Sequence, residues 1–338
     1  METLYFDMYF LQVQQPPASM GKLTKIAVNS ESDIWGIVST TKDSEKINIP
    51  VRLVSGNEGG SDTTTWATVP LPKGVSAGEI QCTQDGMVIV STEGENECHI
   101  WMEDTGFWSP IYFYPGMENF AAGATNKIFY TYEDKVYQYL GFNAHRQVPT
   151  GVSQFDKVAA AADGTLIASY KAFSSLYKLI EGEVVVINPT VPSDNFYKYL
   201  TVASASHLYL VSEHYILRYI GEKQYQYNNP VFYTWKDPNS KKKGQSGKKG
   251  TNTDKGHYKF VVDSSIKASS IVDISSGADI PLALLAENSK GDNILFIQSP
   301  FPPKYHGNKG KQSKNRTPCQ SIYISRKLIY PMRRTFPY

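Results

Sequence analysis

The chain has 338 residues with a net charge of +2, and its three cysteines, Cys82, Cys98 and Cys319, form no CxxC pair. Three cysteines do not make a disulfide framework, and the lack of a CxxC pair argues against a structural zinc site. No apolar run approaches the roughly 20 residues that span a membrane as a helix. Aromatic residues make up 13% of the chain, with 23 tyrosines, which favours strands over helices.

The small net charge hides a division between two parts of the chain. Residues 236–338 carry 19 Lys and Arg against 7 Asp and Glu, a net charge of +12, whereas residues 1–235 carry 15 against 25, a net charge of −10. An asymmetry of this size indicates that the basic part has a different role or partner from the rest.

The N-terminus, "METLYFDMYFLQVQQPP", has acidic residues where a signal peptide has basic ones. We therefore expect a soluble, cytoplasmic protein, unless it is exported by an unconventional route. The segment "YFDMYFLQVQ" is typical of a strand.

Five apolar hairpins follow along the chain, and the clearest are "EIQCTQDGMVIVST" and "KVAAAADGTLIASY". In both, Asp-Gly can supply the positive φ that a tight turn needs. The spacings between successive turns are 52, 41, 37 and 43 residues. The five predicted turns are at Ser32-Asp33, Asp85-Gly86, Asn126-Lys127, Asp163-Gly164 and Ser206-His207.

Each hairpin is followed by two further strands. The third is rich in aromatics ("CHIWMED", "DKVYQYLG", "SSLYKLIEG", "HYILRYIGE"), and the fourth leads into a Pro or Gly linker ("WATVPLPKG", "WSPIYFYPG", "RQVPTG", "VVVINPTVP"). Four strands in about 40 residues predict a β-propeller blade. The longer first spacing is interpreted as an inserted polar loop within "TTKDSEKINIPVRLVSGNEGGSDTTTW".

A sixth unit, "KASSIVDISSGADIPLALLAENSKGDNILFIQSPFPP", has its turn near Gly277 to Ala278. The predicted fold is all-β: one β-propeller domain over residues 1–303 with six four-stranded blades. We expect "YFDMYFLQVQ" to pair into the last blade and close the ring.

Three segments, "DIWGIVS", "TTTWATVPLPKGVSAGEI" and "GFWSPIYFYPGMENFAAG", resemble the tectonin-type propeller, over roughly residues 20–231. The strand part of that pattern fits Trp35-Gly36, and the linker part fits Trp66 with Pro72 to Gly74 and Trp108 with Pro115-Gly116. The resemblance implies a lectin, a glycan-sensing protein or a protein scaffold.

No catalytic motif stands out, because the chain has no GxSxG, HExxH, GxGxxG or P-loop. Residues 61–66, "SDTTTW", lack the Gly of a sialidase Asp box. His207 and His214 flank a predicted hairpin and could share a metal ion, but solvated turn positions are the preferred interpretation. We expect no cofactor. The sequence gives no support for enzymatic activity, although propeller enzymes assemble their sites from distant loops, so a hydrolase or lyase stays an alternative.

Residues 236–259 form a Lys-rich segment with Gly, Ser, Asn and Thr between the charges, which predicts a disordered insertion. Residues 304–338 are a second basic stretch, a tail that could contribute a closing strand. Either could contact nucleic acid or acidic lipid, or be solvated with no partner. The candidate anion contacts are Lys241, Lys242, Lys243, Lys248 and Lys249.

Two functions fit these features. The first is carbohydrate binding, because sugar C–H faces stack on aromatic rings; the alternative for each ring is packing between blades. The second is a protein-interaction scaffold whose basic region contacts anionic partners. The resemblance favours the first. The candidate stacking residues are Trp35, Trp66, Trp101 and Trp108, with Tyr137, Tyr177 and Tyr219 as repeat-related positions.

Overall fold

The structure is a computed structural model. It describes residues 4–5, 8–30, 33–42, 44–58, 61–94, 97–170, 175–180, 183–188, 197–204, 207–220, 223–227, 230–236, 259–277, 280 and 282–299. Within these ranges the chain forms six sheets in a propeller ring, and each sheet contains four strands that make up one blade. The predicted fold class is therefore confirmed. Among the described residues, no helix is long and apolar enough to cross a membrane.

The chain begins with two short strands, β1 (Leu4–Tyr5) and β2 (Tyr9–Gln12). Five consecutive blades follow, each built from strands that pair with their sequence neighbours. Blade 1 contains β3 (Lys22–Ser30), β4 (Asp33–Lys42), β5 (Glu45–Glu58) and β6 (Ser61–Thr68). Blade 2 contains β7 (Ala77–Cys82), β8 (Val88–Thr92), β9 (Glu97–Met102) and β10 (Phe107–Tyr112). Blade 3 contains β11 (Asn119–Ala124), β12 (Lys127–Tyr132), β13 (Lys135–Gly141) and β14 (Ala144–Gln147).

The same order continues in the next two blades. Blade 4 contains β15 (Phe155–Ala160), β16 (Leu166–Tyr170), β17 (Ser175–Ile180) and β18 (Glu183–Ile187). Blade 5 contains β19 (Tyr197–Ser204), β20 (His207–Ser212), β21 (Ile216–Ile220) and β22 (Lys223–Tyr227). Single-turn 3-10 helices lie at Ala18–Met20 and Ala268–Ser270.

Blade 6 is assembled from both ends of the described chain. The strands β23 (Val231–Lys236) and β24 (Lys259–Val262) precede β25 (Ile271–Ser275), β26 (Ala283–Glu287) and β27 (Asn293–Ser299). The N-terminal β2 pairs antiparallel with β27 and parallel with β23, so it is the fourth strand of this blade. The predicted ring closure by "YFDMYFLQVQ" is confirmed.

The clearest hairpins differ from the expected two-residue turn. In both, the positive φ falls on the glycine alone, at 90° for Gly86 and 91° for Gly164. Gly86 donates its N–H to the carbonyl of Thr83, and Gly164 donates to Ala161, each at 3.1 Å. Each hairpin therefore contains a four-residue β-turn whose last residue is a glycine in the left-handed conformation.

Two other kinds of local prediction were wrong. The expected polar loop in blade 1 is strand, because β5 is 14 residues long and continues across a hairpin into β6. In blades 1, 3 and 5 the second residue of the predicted turn already begins the second strand, at Asp33, Lys127 and His207. In blade 3 the turn lies one residue earlier than predicted, at Thr125 and Asn126. The first error comes from polar sequence, which backbone pairing tolerates at the outer edge of a blade.

The core lies between the blades. Trp35 and Ile37 of blade 1 pack with Ile80, Val90 and Trp108 of blade 2, and similar clusters join each further pair of neighbours. A four-stranded sheet has two faces, and only a ring of sheets buries both of them.

Cys82 and Cys98 lie in these layers as buried free thiols, and burial raises the pKa of each thiol. Both therefore behave as small apolar side chains. Cys319 lies outside the described residues.

Candidate functional site

The tryptophans predicted to stack on sugars lie mostly between blades. Trp35, Trp66 and Trp108 are 1%, 2% and 9% exposed. Each indole N–H is bonded within the protein: Trp35 donates to the Asp33 carboxylate at 2.9 Å, Trp66 to the Gln14 carbonyl at 2.9 Å and Trp108 to the Val69 carbonyl at 3.1 Å. In this structure these three rings have no free face for a ligand.

Trp101 is the half-buried member of the set. Its ring centroid lies 6.0 Å from that of Trp35 and 5.3 Å from that of Trp108. The Glu103 carboxylate accepts its indole N–H at 2.6 Å and two hydrogen bonds from Arg52, whose guanidinium lies 5.0 Å above Trp35. The cluster joins blades 1 and 2, and carbohydrate binding by Trp101 stays a prediction.

The other predicted site residues are scattered. Tyr219 is buried, whereas Tyr137 and Tyr177 are half-buried within blades 3 and 4. His207 begins β20 and His214 lies two residues beyond its end, so the length of the strand separates them and they do not meet across a turn. The described residues contain no group of three or more side chains that could hold a metal ion. Lys241, Lys242, Lys243, Lys248 and Lys249, and the tail from residue 304, lie outside the described residues.

The first strands of the six blades carry a ring of polar residues that sequence analysis missed. Five members lie opposite equivalent residues of the second strand in their blades. The sixth, Glu79, lies at a bulge, where its backbone N–H donates to the Ser91 hydroxyl at 2.8 Å. We call this set the inner polar ring. Its members are Lys25, Glu79, Asn119, Lys157, Tyr199 and Asp273.

A shift of strand register accompanies five of these six positions, the exception being Asn119. Such bulges re-aim a side chain relative to its neighbours in the strand. A bulge therefore accompanies the polar residue in five blades, whereas Asn119 holds the equivalent place in regular strand pairing.

Five members of the inner polar ring reach the following blade. Asn119 donates to the Asp156 carbonyl at 2.7 Å. Lys157 donates to the Lys198 carbonyl at 2.9 Å, and Tyr199 to the Val272 carbonyl at 2.8 Å.

Contacts from one blade to the next also occur where blade 6 meets blade 1 and where blade 1 meets blade 2. Asp273 accepts the Ile26 N–H at 2.8 Å, and Lys25 forms an ion pair with Glu79. Together these contacts join five of the six pairs of neighbouring blades through their inner strands.

The electrostatics of the inner polar ring follow from burial. Loss of solvent raises the pKa of Asp273 to about 7, against the lowering effect of Lys25. Burial likewise lowers the pKa of Lys157. Burial also acts to lower the pKa of Lys25, but the negative charges of Asp273 and Glu79 outweigh this effect, so the pKa of Lys25 is raised. The ring is bonded to protein groups, so its evident role is to hold the blades together.

A second candidate for binding is a groove of about 600 Å³ between blades 2 and 3. Its walls are largely apolar, and several of the side chains are well exposed: Leu140 is 51%, Tyr112 50% and Phe142 103% exposed. We call it the blade 2–3 groove. The principal lining residues are Met87, Ile100, Ile111, Tyr112, Leu140 and Phe142.

Phe142 lies at the tip of the β13–β14 hairpin at one end of this groove. Phe142 and Asn143 have φ of 48° and 61°, the pattern of a two-residue type I′ turn. A bulky residue is disfavoured at positive φ, where Asn or Gly is usual. An aromatic ring is thus held in solvent on a strained backbone, a combination that occurs at functional sites.

The two blades that form the groove are the acidic part of the chain. Residues 77–147 carry 10 Asp and Glu against 3 Lys and Arg, so they account for −7 of the −10 found in residues 1–235. At the groove edge, the Asp85 carboxylate accepts the N–H of Thr125 at 3.0 Å. Burial raises the pKa of Asp85, but hydrogen bonds from Thr83 and Thr125 outweigh this effect and leave it lowered.

Sequence analysis missed the groove because its walls come from two repeats. One signal was present: in "YLGFNAH", Phe142 sits at a turn position where a small polar residue is expected.

No protein-family model matches this chain, and a search of curated proteins finds no match. Among solved structures, a catalytically inactive variant of virginiamycin B lyase from Staphylococcus aureus with quinupristin is similar over 86% of this chain and 99% of that one. The identity is 12% and the TM-score 0.50. A streptogramin B lyase is similar over 86% and 96%, with 11% identity and a TM-score of 0.50. The WD40 repeats of RRP9 are similar over 86% and 97%, with 10% identity and a TM-score of 0.48.

At these identities the likeness shows the propeller fold alone. Nothing in the comparisons confirms the tectonin type.

Proposed function

We propose that this chain is a non-catalytic protein-interaction scaffold that binds a partner segment in the blade 2–3 groove. The observation that carries the proposal is Phe142, a fully exposed aromatic on a strained turn beside an apolar groove. A propeller fold suits such a binding role.

The surroundings of the groove favour one kind of partner. Its apolar walls fit aromatic or aliphatic side chains, which act as anchors in protein interfaces. The surplus of carboxylates on blades 2 and 3 favours Lys or Arg beside the anchor, because complementary charge speeds association and excludes acidic partners. The expected ligand is a segment with an apolar anchor flanked by basic residues.

Selection from a random peptide library on the immobilised protein tests this proposal. We expect enriched peptides to combine an apolar anchor with Lys or Arg. Phe142→Asn removes the ring and leaves a residue suited to the turn, so it should weaken the selected peptides at least about tenfold, as loss of an aromatic anchor does.

Val262→Thr is the matched control. Val262 is 56% exposed on β24 of blade 6 and is not among the residues that line the groove. Peptides that bind the wild type and Phe142→Asn equally would overturn the proposal, as would a library without enrichment.

Carbohydrate binding is the second candidate, supported by the half-buried Trp101 beside exposed Met102 and Phe107. A glycan array with wild type and Trp101→Ala tests it. Saturable binding that salt does not weaken, and that the substitution removes, would support a lectin. Binding restricted to sulfated glycans and lost in salt would instead indicate contacts from the basic region, including Lys241 to Lys249.

A further inference from the structure

The outer strand of blade 4 presents an edge that no described strand covers. β18 (Glu183–Ile187) pairs with β17 on one side, and no strand among the described residues pairs with its other side. Its three central residues, Val184, Val185 and Val186, are 39%, 51% and 48% exposed. An edge of this kind presents free N–H and C=O groups together with apolar side chains, and it readily accepts another strand.

The outer edges of blades 5 and 6 are each covered by an added strand. In blade 5, β1 pairs in parallel with β22, with Leu4 opposite Tyr225. In blade 6, β23 pairs in parallel with β2, with Tyr9 opposite Val231. This fold therefore already completes blade edges by adding strands.

The remaining outer strands carry features that discourage pairing. β10 contains Pro110, which lacks an N–H. β14 is only four residues long and contains the charged Arg146. β6 is rich in threonine and has few apolar residues. β18 has neither proline nor a basic residue, and its one charged residue, Glu183, stands at its first position.

We propose that β18 pairs antiparallel with β18 of a second copy of this chain, about a two-fold axis at Val185. This register places Val184 opposite Val186 and Glu183 opposite Ile187, so no like charges face each other across the pair. The two four-stranded sheets of blade 4 become one sheet of eight strands. A self-complementary edge meets the requirement of a two-fold interface, in which the same surface serves both copies.

The strand is short, which sets the strength of the association. An interface built on five residues per copy is below the size of stable complexes, so the dimer is weak and depends on concentration. Its consequence is bivalency: two blade 2–3 grooves on one particle, which increases avidity for a partner that carries two binding segments.

Sedimentation velocity on the full chain, from low to high micromolar concentration, tests the pairing. We expect a reversible monomer–dimer equilibrium for the wild type. Val185→Lys places a charge opposite its own copy and should raise the dissociation constant at least about tenfold. Val185→Thr keeps a β-branched residue of the same shape and should leave it within about threefold.

A cysteine cross-link tests the register. In a Cys319→Ser background, Val185→Cys should form a disulfide-linked dimer under mild oxidation, because opposite residues in antiparallel pairs lie within disulfide range. The remaining cysteines, Cys82 and Cys98, are buried.

A wild type that stays monomeric at all concentrations would overturn the proposal, and so would a Val185→Lys variant that dimerises like the wild type. Circular dichroism of each variant separates loss of pairing from loss of folding. The result is independent of peptide binding in the groove.

Discussion

The carboxylate of Asp273 accepts a hydrogen bond from the backbone N–H of Ile26 at 2.8 Å. The two residues lie on the first strands of blade 6 and blade 1, 247 positions apart in sequence. This bond therefore sits where the ring closes. Both strands are the innermost of their blades, and the hydrogen bond is buried. A buried hydrogen bond is stronger than one in water, and leaving its polar groups unpaired is costly.

The stability of the closed ring should depend on pH through Asp273. Burial raises its pKa to about 7, whereas an unfolded Asp titrates near about 3.9. The charged groups that act on it are Lys25, which lowers the pKa, and Glu79, which raises it. The stabilisation from this group is present below about pH 4 and is lost as the pH rises through about 7.

Asp273→Asn tests that dependence. The amide keeps an oxygen for the Ile26 N–H but does not titrate. The free energy of unfolding should fall less between about pH 4 and about pH 8 in this variant than in the wild type. Asp104→Asn, at an exposed turn, is the control. Identical pH profiles for Asp273→Asn and wild type would contradict the assignment.

The tryptophans of blades 1 and 2 should differ in their contribution to stability. Trp35→Ala removes a ring that is 1% exposed and should lower the free energy of unfolding by about 3–5 kcal/mol. Trp101→Ala, at a half-buried position, should cost less than half as much. Denaturant titration of both variants measures the difference, and equal losses would show that Trp101 is as much a core residue as Trp35.

The N-terminal strand should matter as much as any central strand. Phe10 is fully buried and its ring lies 5.2 Å from that of Phe232. Phe10→Ala should therefore cost about 3–5 kcal/mol of unfolding free energy. The half-buried neighbour Gln12 provides the comparison, since Gln12→Ala should have a much smaller effect. A mild loss for Phe10→Ala would mean that blade 6 holds without β2.

Removal of the exposed aromatic should stabilise the fold. Phe142 has φ of 48°, and Asn tolerates that conformation better. We expect Phe142→Asn to raise the free energy of unfolding by about 0.5–1 kcal/mol, in the range of other conformational substitutions in turns. Thermal or denaturant unfolding checks this. A loss of stability would show that the ring packs against the protein, which would also remove the argument for an exposed anchor.

The hairpins of the fold could be predicted from the sequence, but the residues that meet between blades could not. The hairpins around Gly86 and Gly164 were visible because a strand's alternation and its turn glycine are local signals. The inner polar ring was invisible because Lys25 and Asp273 meet only when blade 6 closes on blade 1. The exposure of Trp101 and the burial of Trp35 were equally undecided, since both lie on strands with similar local patterns.

The sequence by itself determined the architecture: repeated four-stranded units with short turns, and an N-terminal strand available to close the ring. Such features depend on residues near one another in the chain. Only the tertiary structure decided which aromatic rings are buried, which polar residues face the inner strands and where apolar surface stays open. Those outcomes depend on how one blade's face meets the next, and the residues concerned come from different repeats.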